Sequence, residues 1–240
     1  MNTGFLEVAL ESDDILAALA FYRTLGFTEL TPNDARDYPY AAITDGFVNI
    51  GLHQRAFSAP TLTMMQPELA KAAPNLGDSP YLQSMRIDPD QFHEITLCDA
   101  DQHTLMLVEA RTFSPPTFDP PESLLGRFLE ISLPVRNALA SAQFWAPYTH
   151  SSLGLMGDPP EHLRLGAGHV AIGLCEPLRG RDLQLSYAVS DLAALGHAID
   201  RLGGRLHPCA VGIGACISQV QTPEGLLINL FKEDFLGDNV

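Results

Sequence analysis

The stretch FLEVALESDDILAALAFYRTLGF, residues 5–27, decides the fold because the chain uses it twice. FLEISLPVRNALASAQFW, residues 128–145, lies over it without a gap at an offset of 123. That sets Phe128 on Phe5, Leu129 on Leu6, Glu130 on Glu7, Phe144 on Phe21 and Trp145 on Tyr22. TLTMMQPELA (61–70) over QLSYAVSDLA (184–193) and DADQHTLMLVE (99–109) over TPEGLLINLFK (222–232) keep the same offset, and DGFVNIGLHQ (45–54) matches AGHVAIGLCE (167–176) at 122. A spacing this constant marks a tandem repeat of one domain type.

Within the opening stretch, Phe5, Glu7 and Ala9 alternate with Leu6, Val8 and Leu10, the period of a strand with two faces; Leu6, Val8 and Leu10 are expected to face the core. Ser12, Asp13 and Asp14 then supply a helix cap. Ile15, Leu16, Leu19, Tyr22 and Leu25 recur at helical spacing, and Gly26 permits the left-handed stop. Extended runs follow at 28–30, 40–44 and 47–53, the last two joined by an Asp45-Gly46 turn. The second unit reads as a strand at 61–65, a short helix at 67–73 eroded by Pro74, Asn75 and Gly77, and strands at 81–87, 93–98 and 104–109. The second half repeats this order, with Ser190-Asp191 opening its last helix and Gly203-Gly204 closing it. Each half is thus two βαβββ units, an α+β pattern. RTFSPPTFDPPES (111–123) carries four prolines and no periodicity, so it reads as an extended connector. The organisation expected is a first domain at 1–112, a linker at 113–124 and a second domain at 125–240.

At 240 residues and 46% hydrophobic, the chain can bury two ordinary cores of about 110 to 120 residues each. The formal charge of −15 argues against nucleic acid and anionic membranes as partners, since a carboxylate-rich surface is repelled by both. No run of about 20 apolar residues occurs, and no basic segment precedes an apolar one at the start. A cytoplasmic protein is expected. Cys98, Cys175, Cys209 and Cys216 show no CxxC spacing and are expected as reduced, mostly buried thiols rather than a disulfide framework.

FYRTLGF, the paired βαβββ units and the closing TPEGLLINL resemble the vicinal oxygen chelate superfamily, which includes glyoxalases, bleomycin-resistance proteins and extradiol dioxygenases. The resemblance covers nearly the whole chain. It implies that each half curls one eight-stranded mixed sheet into a cup with helices outside, formed within one chain or by exchange in a homodimer. In metal-using relatives it also implies an ion in the cup, held from the first and last strands of each unit. Those positions fall on Glu7, Gly51, Thr61 and Met106 in the first half and on Glu130, Gly173, Gln184 and Asn229 in the second, none of them the His of a glyoxalase or dioxygenase. Gly and Met offer a hard ion nothing useful, so no metal or other cofactor is expected. If an ion did bind Glu130, Gln184 and Asn229, that oxygen set would suit Mg²⁺, Mn²⁺ or Ca²⁺ better than Zn²⁺.

Glu7 and Glu130 are the polar members of apolar strands at one registered position. A carboxylate there is expected to be partly desolvated, with a raised pKa, and so to be a candidate general base or ligand anchor; a salt bridge to an Arg such as Arg23 or Arg136 is the bland reading. Strand parity aims His53 and His169 at the same cup face as lining residues. His93, His103, His150, His162, His197 and His207 are assigned to loops or surfaces. The function expected is binding of a small hydrophobic or aromatic ligand in the cup, by Glu130, Gln184, Asn229, His169, Glu7 and His53, without the usual metal site. The alternative is a lyase, isomerase or ring-cleaving enzyme using a degenerate metal site or Glu130 or Glu7 as base.

Overall fold

The computed structural model describes residues 4–31, 37–88, 93–109, 123–149, 152–156, 161–176, 178, 180–209 and 216–233. The first half runs β1 (Gly4–Glu11), α1 (Ile15–Thr24), β2 (Thr28–Leu30), β3 (Tyr40–Thr44), β4 (Asn49–His53), β5 (Thr61–Met65), α2 (Leu69–Gly77), β6 (Leu82–Arg86), β7 (Glu94–Cys98) and β8 (Thr104–Val108). The second runs β9 (Arg127–Pro134), α3 (Ala138–Trp145), β10 (Ser152–Met156), β11 (His162–Ala167), β12 (Val170–Cys175), β13 (Gln184–Val189), α4 (Leu192–Arg201), β14 (Leu206–His207), β15 (Cys216–Gln221) and β16 (Leu227–Lys232). The connector lies outside the described residues except for Ser123 and Leu124.

The strands form two eight-stranded mixed sheets of the same order, β2-β3-β4-β1-β5-β8-β7-β6 and β10-β11-β12-β9-β13-β16-β15-β14. At the centre of each, β1 pairs antiparallel with β5 and β9 with β13, and the flanking strands β4 and β12, β8 and β16 run parallel to those neighbours. No described helix is long and apolar enough to cross a membrane.

Local chemistry sets the helix ends. Asp14, Asn137 and Asp191 cap α1, α3 and α4 by accepting from the backbone N–H three residues on, which satisfies a donor the helix itself cannot. Helix α2 runs past the expected 67–73 and through Pro74 to Gly77. Its buried face of Leu69, Ala73 and Leu76 supplies packing that outweighs the backbone bond lost at the proline.

Two separate cores were the expectation, and the structure replaces them with one. Val8, Leu10, Ile50, Leu62 and Leu105 of the first sheet and Ile131, Leu133, Ile172, Leu185 and Ile228 of the second belong to a single apolar cluster. Polar contacts lock the seam. Trp145 of α3 donates Nε1–H to Asp99 (3.1 Å) in the β7–β8 turn, and Tyr22 of α1, its registered counterpart, donates to Glu224 (3.2 Å) in the β15–β16 turn. His103, assigned to a loop or surface from sequence, lies in the β7–β8 turn but is buried, with Nε2 2.7 Å from the Pro134 carbonyl. A second correction concerns cysteine: Cys209 and Cys216 form a disulfide, their Cα atoms 5.9 Å apart at a sequence separation of 7, a proximity invisible to spacing motifs. Cys98 and Cys175 are free thiols.

Asp45 also sits in the seam, accepting from the Phe47 (2.9 Å) and Val48 (2.8 Å) N–H groups and from Tyr187 Oη (2.7 Å). Burial raises its pKa even against these hydrogen bonds. Ionising it therefore costs more in the folded chain than in the unfolded one, and its contribution is most favourable at low pH and lost as pH rises through the raised value. Asn at this position keeps the acceptor for both N–H groups and can donate to Tyr187. Denaturation midpoints of wild type and Asp45→Asn should therefore converge near about pH 4 and separate in favour of Asn by about pH 8; a gap independent of pH would refute the assignment.

Candidate functional site

The cup face of each sheet is set by one irregularity in its central strand. Register shifts between Phe5 and Glu7 on β1, and opposite Ser186 and Tyr187 on β9, insert an extra residue that flips side-chain parity. Phe5, not Leu6, consequently enters the core, and Phe128 packs edge-on to Tyr187 at 5.3 Å. Leu129 turns the other way into a small cluster with Ala188 and Phe231, separate from the main core. The expectation that Leu6 faces the core is thereby corrected.

Behind each bulge a glutamate is buried, Glu7 at 4% exposure and Glu130 at 5%. Each carboxylate lies over a glycine of the neighbouring strand: a Cβ on Gly51 would come within 2.4 Å of Glu7 Oε2, and one on Gly173 within 2.1 Å of Glu130 Oε1. In the first half, Tyr40 Oη donates to Glu7 Oε2 (2.5 Å), and His53 Nε2 lies 3.1 Å from Oε1 with its Nδ1 3.1 Å from Tyr38 Oη. Phe57 stacks edge-on to His53 at 5.3 Å, and the Arg55 guanidinium sits 4.7 Å over the Tyr38 ring.

In the second half, His162 Nε2 is 3.0 Å from Glu130 Oε1, Arg164 Nε is 3.0 Å from Oε2, and Ser132 donates to Oε1 at 2.9 Å. Cys175 Sγ approaches Oε1 at 3.6 Å, and Ser132 bonds Ser186 at 2.8 Å. Burial alone would push the Glu130 pKa up, but the His162 hydrogen bond and charge, Arg164 and Ser132 outweigh it and hold the carboxyl below its ordinary value. That reverses the expectation of a raised pKa and leaves Glu130 a weak base. Burial and the Glu130 charge raise the Cys175 thiol well above its usual value. Arg23 and Arg136 pair elsewhere, with Glu29 and Asp101.

Beside this cluster, Asn229 Nδ2 donates to Gln184 Oε1 (2.9 Å) and Gln219 Nε2 to Asn229 Oδ1 (2.6 Å). Gln184 and Asn229 are thus joined to each other, while Glu130 is tied to β11 and β12. His53 reaches the first cup; His169 does not. It is exposed in the β11–β12 turn, 5.8 Å from the Phe5 ring, because β12 begins only at Val170 and strand parity stops there. His162 and Arg164 escaped the sequence reading. The signal was the 122 offset, which places them on Tyr40 and Ala42 of a strand that had been recognised.

No family model matches the sequence, and no curated protein matches it. Solved structures do match in three dimensions. A variant of homoprotocatechuate 2,3-dioxygenase from B. fuscum superposes with a TM-score of 0.62 at 11% identity, over 99% of this chain and 74% of that one. A catechol 2,3-dioxygenase gives 0.55 at 15% over 95% and 87%, and the Mn(II)-bound glyoxalase of Novosphingobium aromaticivorans 0.53 at 14% over 96% and 82%. The chain therefore shares its fold with catechol-cleaving dioxygenases and a glyoxalase. The positions that the resemblance implies for an ion offer no complete ligand set here. Gly51 and Gly173 supply no ligand atom and their free side is filled by carboxylates, Met106 offers a thioether, and the Gln184 and Asn229 amides satisfy each other.

The carboxylate-over-glycine packing makes Gly173→Ala a direct probe. It should destabilise the chain by about 1–3 kcal/mol through overpacking. Gly4→Ala, whose Cβ would meet only the Met65 methyl at 3.7 Å, should stay within roughly 0.5 kcal/mol. Equal denaturation midpoints for the two variants would show that the carboxylate does not rest there.

Proposed function

We propose that the chain is a vicinal-oxygen-chelate-type protein that binds a small aromatic molecule against the cup face of its second sheet, without the superfamily's usual ion. The observation that carries this reading is the composition of that face. Leu129, Ala188 and Phe231 form an apolar cluster apart from the core, beside the convergent amides of Gln184, Gln219 and Asn229. Apolar walls with a few fixed polar groups are what small-molecule sites are built from. The catechol-cleaving neighbours lend the ligand class: a planar ring with hydroxyls would lay its face on Phe231 and exchange hydrogen bonds with the amides.

These side chains are closed off from water in the free protein, Asn229 at 0% and Phe231 at 5% exposure. A ligand therefore reaches them only when the covering structure moves, and association should be slow for a molecule of this size. Catechol serves as the probe. It should raise the melting temperature of wild type, and Asn229→Ala should weaken its binding by about 1–3 kcal/mol in calorimetry, with Phe231→Ala acting in the same direction. Glu161→Ala, at an exposed position, should change nothing. Equal affinity in the Asn229 and Glu161 variants, or no binding of catechol by wild type, would overturn the reading.

A further inference from the structure

We propose that Glu130, His162 and Cys175 form a binding site for a borderline-soft divalent ion, with Zn²⁺ the preferred occupant. One ligand atom from each residue lies within 4.8 Å of the others. His162 and Cys175 are register partners across β11 and β12, so their side chains stand side by side on one face. Glu130 reaches them from β9 because Gly173, between them in the sheet, has no side chain to block its carboxylate. Three strands hold the set, which fixes its geometry before any ion arrives.

The donors are a carboxylate oxygen, an imidazole nitrogen and a thiol sulfur. That mixture suits Zn²⁺, and three protein ligands with a fourth position left over is a recurrent zinc arrangement. Tetrahedral zinc with ordinary bond lengths separates its ligand atoms by roughly 3.4 Å. The Glu130 Oε1 to Cys175 Sγ distance of 3.6 Å and the Oε1 to His162 Nε2 distance of 3.0 Å need only tenths of an ångström of adjustment. Cys175 approaches Oε1, and His162 Nε2 lies almost equally close to both carboxylate oxygens, 3.0 Å from Oε1 and 3.1 Å from Oε2. Arg164 sits on the other oxygen, Oε2, and its Nε makes no aligned hydrogen bond, so it can stay as an outer partner to a carboxylate that binds the ion through Oε1. Ser132, which donates to Oε1, has Ser186 as a ready alternative at 2.8 Å. Binding releases the Cys175 thiol proton to solvent.

This set shares Glu130 with the positions that the resemblance implies, but its other two ligands differ in place and in chemistry. The Gln184 and Asn229 positions lie on β13 and β16, on one side of β9, whereas His162 and Cys175 lie on β11 and β12, on the other. Oxygen ligands there would have favoured hard ions; a thiol here favours a softer one. Among the described residues it is the one such group of three; in the first half Tyr40 stands at the position registered with His162, which leaves only Glu7 and His53.

The ion uses none of Gln184, Asn229 or Phe231, so it stands or falls apart from the ligand reading above. Chelator-washed full-length protein, kept without reductant so that Cys209 and Cys216 stay bonded, is titrated with Zn²⁺ by calorimetry and with Co²⁺ by absorption. One equivalent of Zn²⁺ should bind and raise the melting temperature, and Co²⁺ should give a thiolate-to-cobalt charge-transfer band. Cys175→Ser should abolish the band, and both it and His162→Ala should weaken Zn²⁺ by more than about 100-fold, while Cys98→Ser leaves both signals unchanged. If the variants do not fold, the wild-type cobalt spectrum decides, since a folded protein without the thiolate band overturns the proposal. So does Zn²⁺ affinity that is unchanged in folded Cys175→Ser and His162→Ala.

Discussion

A buried carboxylate must be compensated, and both halves of this chain are arranged around one. Leaving Glu7 or Glu130 unpaired at about 5% exposure would cost several kcal/mol. The common part of the solution is steric, a glycine on the adjacent parallel strand over which the carboxylate lies. The rest differs between halves at matching positions. Where the first half uses the Tyr40 phenol and His53 imidazole, the second uses the His162 imidazole, the Arg164 guanidinium and the Ser132 hydroxyl. The exchange leaves a trace in the first sheet. Ser132 bonds Ser186, but their counterparts are Ala9 and Thr63, and Thr63 Oγ1 is buried without a hydrogen-bond partner among the described residues. Losing one hydroxyl of a pair strands the other.

The seam between the halves follows the same duplication. Tyr22 and Trp145 occupy one registered position, and each sends its polar atom into the last turn of the opposite half. An aromatic side chain suits this place because it buries a large apolar body while its single polar group meets a carboxylate. The main apolar cluster then runs through both sheets, so neither half buries its own surface completely. Composition could say that enough apolar residues exist for two cores. It could not say that the faces meet, because the side of a sheet that looks at solvent in an isolated unit looks at the other unit here.

Much of the fold was legible because it rests on periodicities. The offset of 123 fixes β9 over β1 residue for residue, Asp14 and Gly26 bound α1, and Asp45-Gly46 places the β3–β4 turn. What failed were inferences that carried parity across a break. One inserted residue at the bulge exchanged Phe5 for Leu6 as the core residue, and the β11–β12 turn put His169 outside the strand whose alternation had aimed it at the cup. The Cys209–Cys216 bond was illegible for a different reason: two cysteines seven apart match no spacing motif, and their proximity is set by tertiary structure.

The site was harder to read than the fold because a central strand has two neighbours. Glu130 on β9 stands between β12 and β13, and reasoning from the superfamily looks toward β13, where Gln184 and Asn229 lie. The charge looks the other way, since the basic side chains bonded to Glu130 among the described residues, Arg164 and His162, stand on β11. With the carboxylate drawn to that side, the amides of Gln184 and Asn229 close on each other instead of on a shared ion. Charge pairing on one flank of β9 thus sets hydrogen bonding on the other. A single strand position separates two chemistries, a neutral amide face beside apolar walls and an ionised cluster with a thiol.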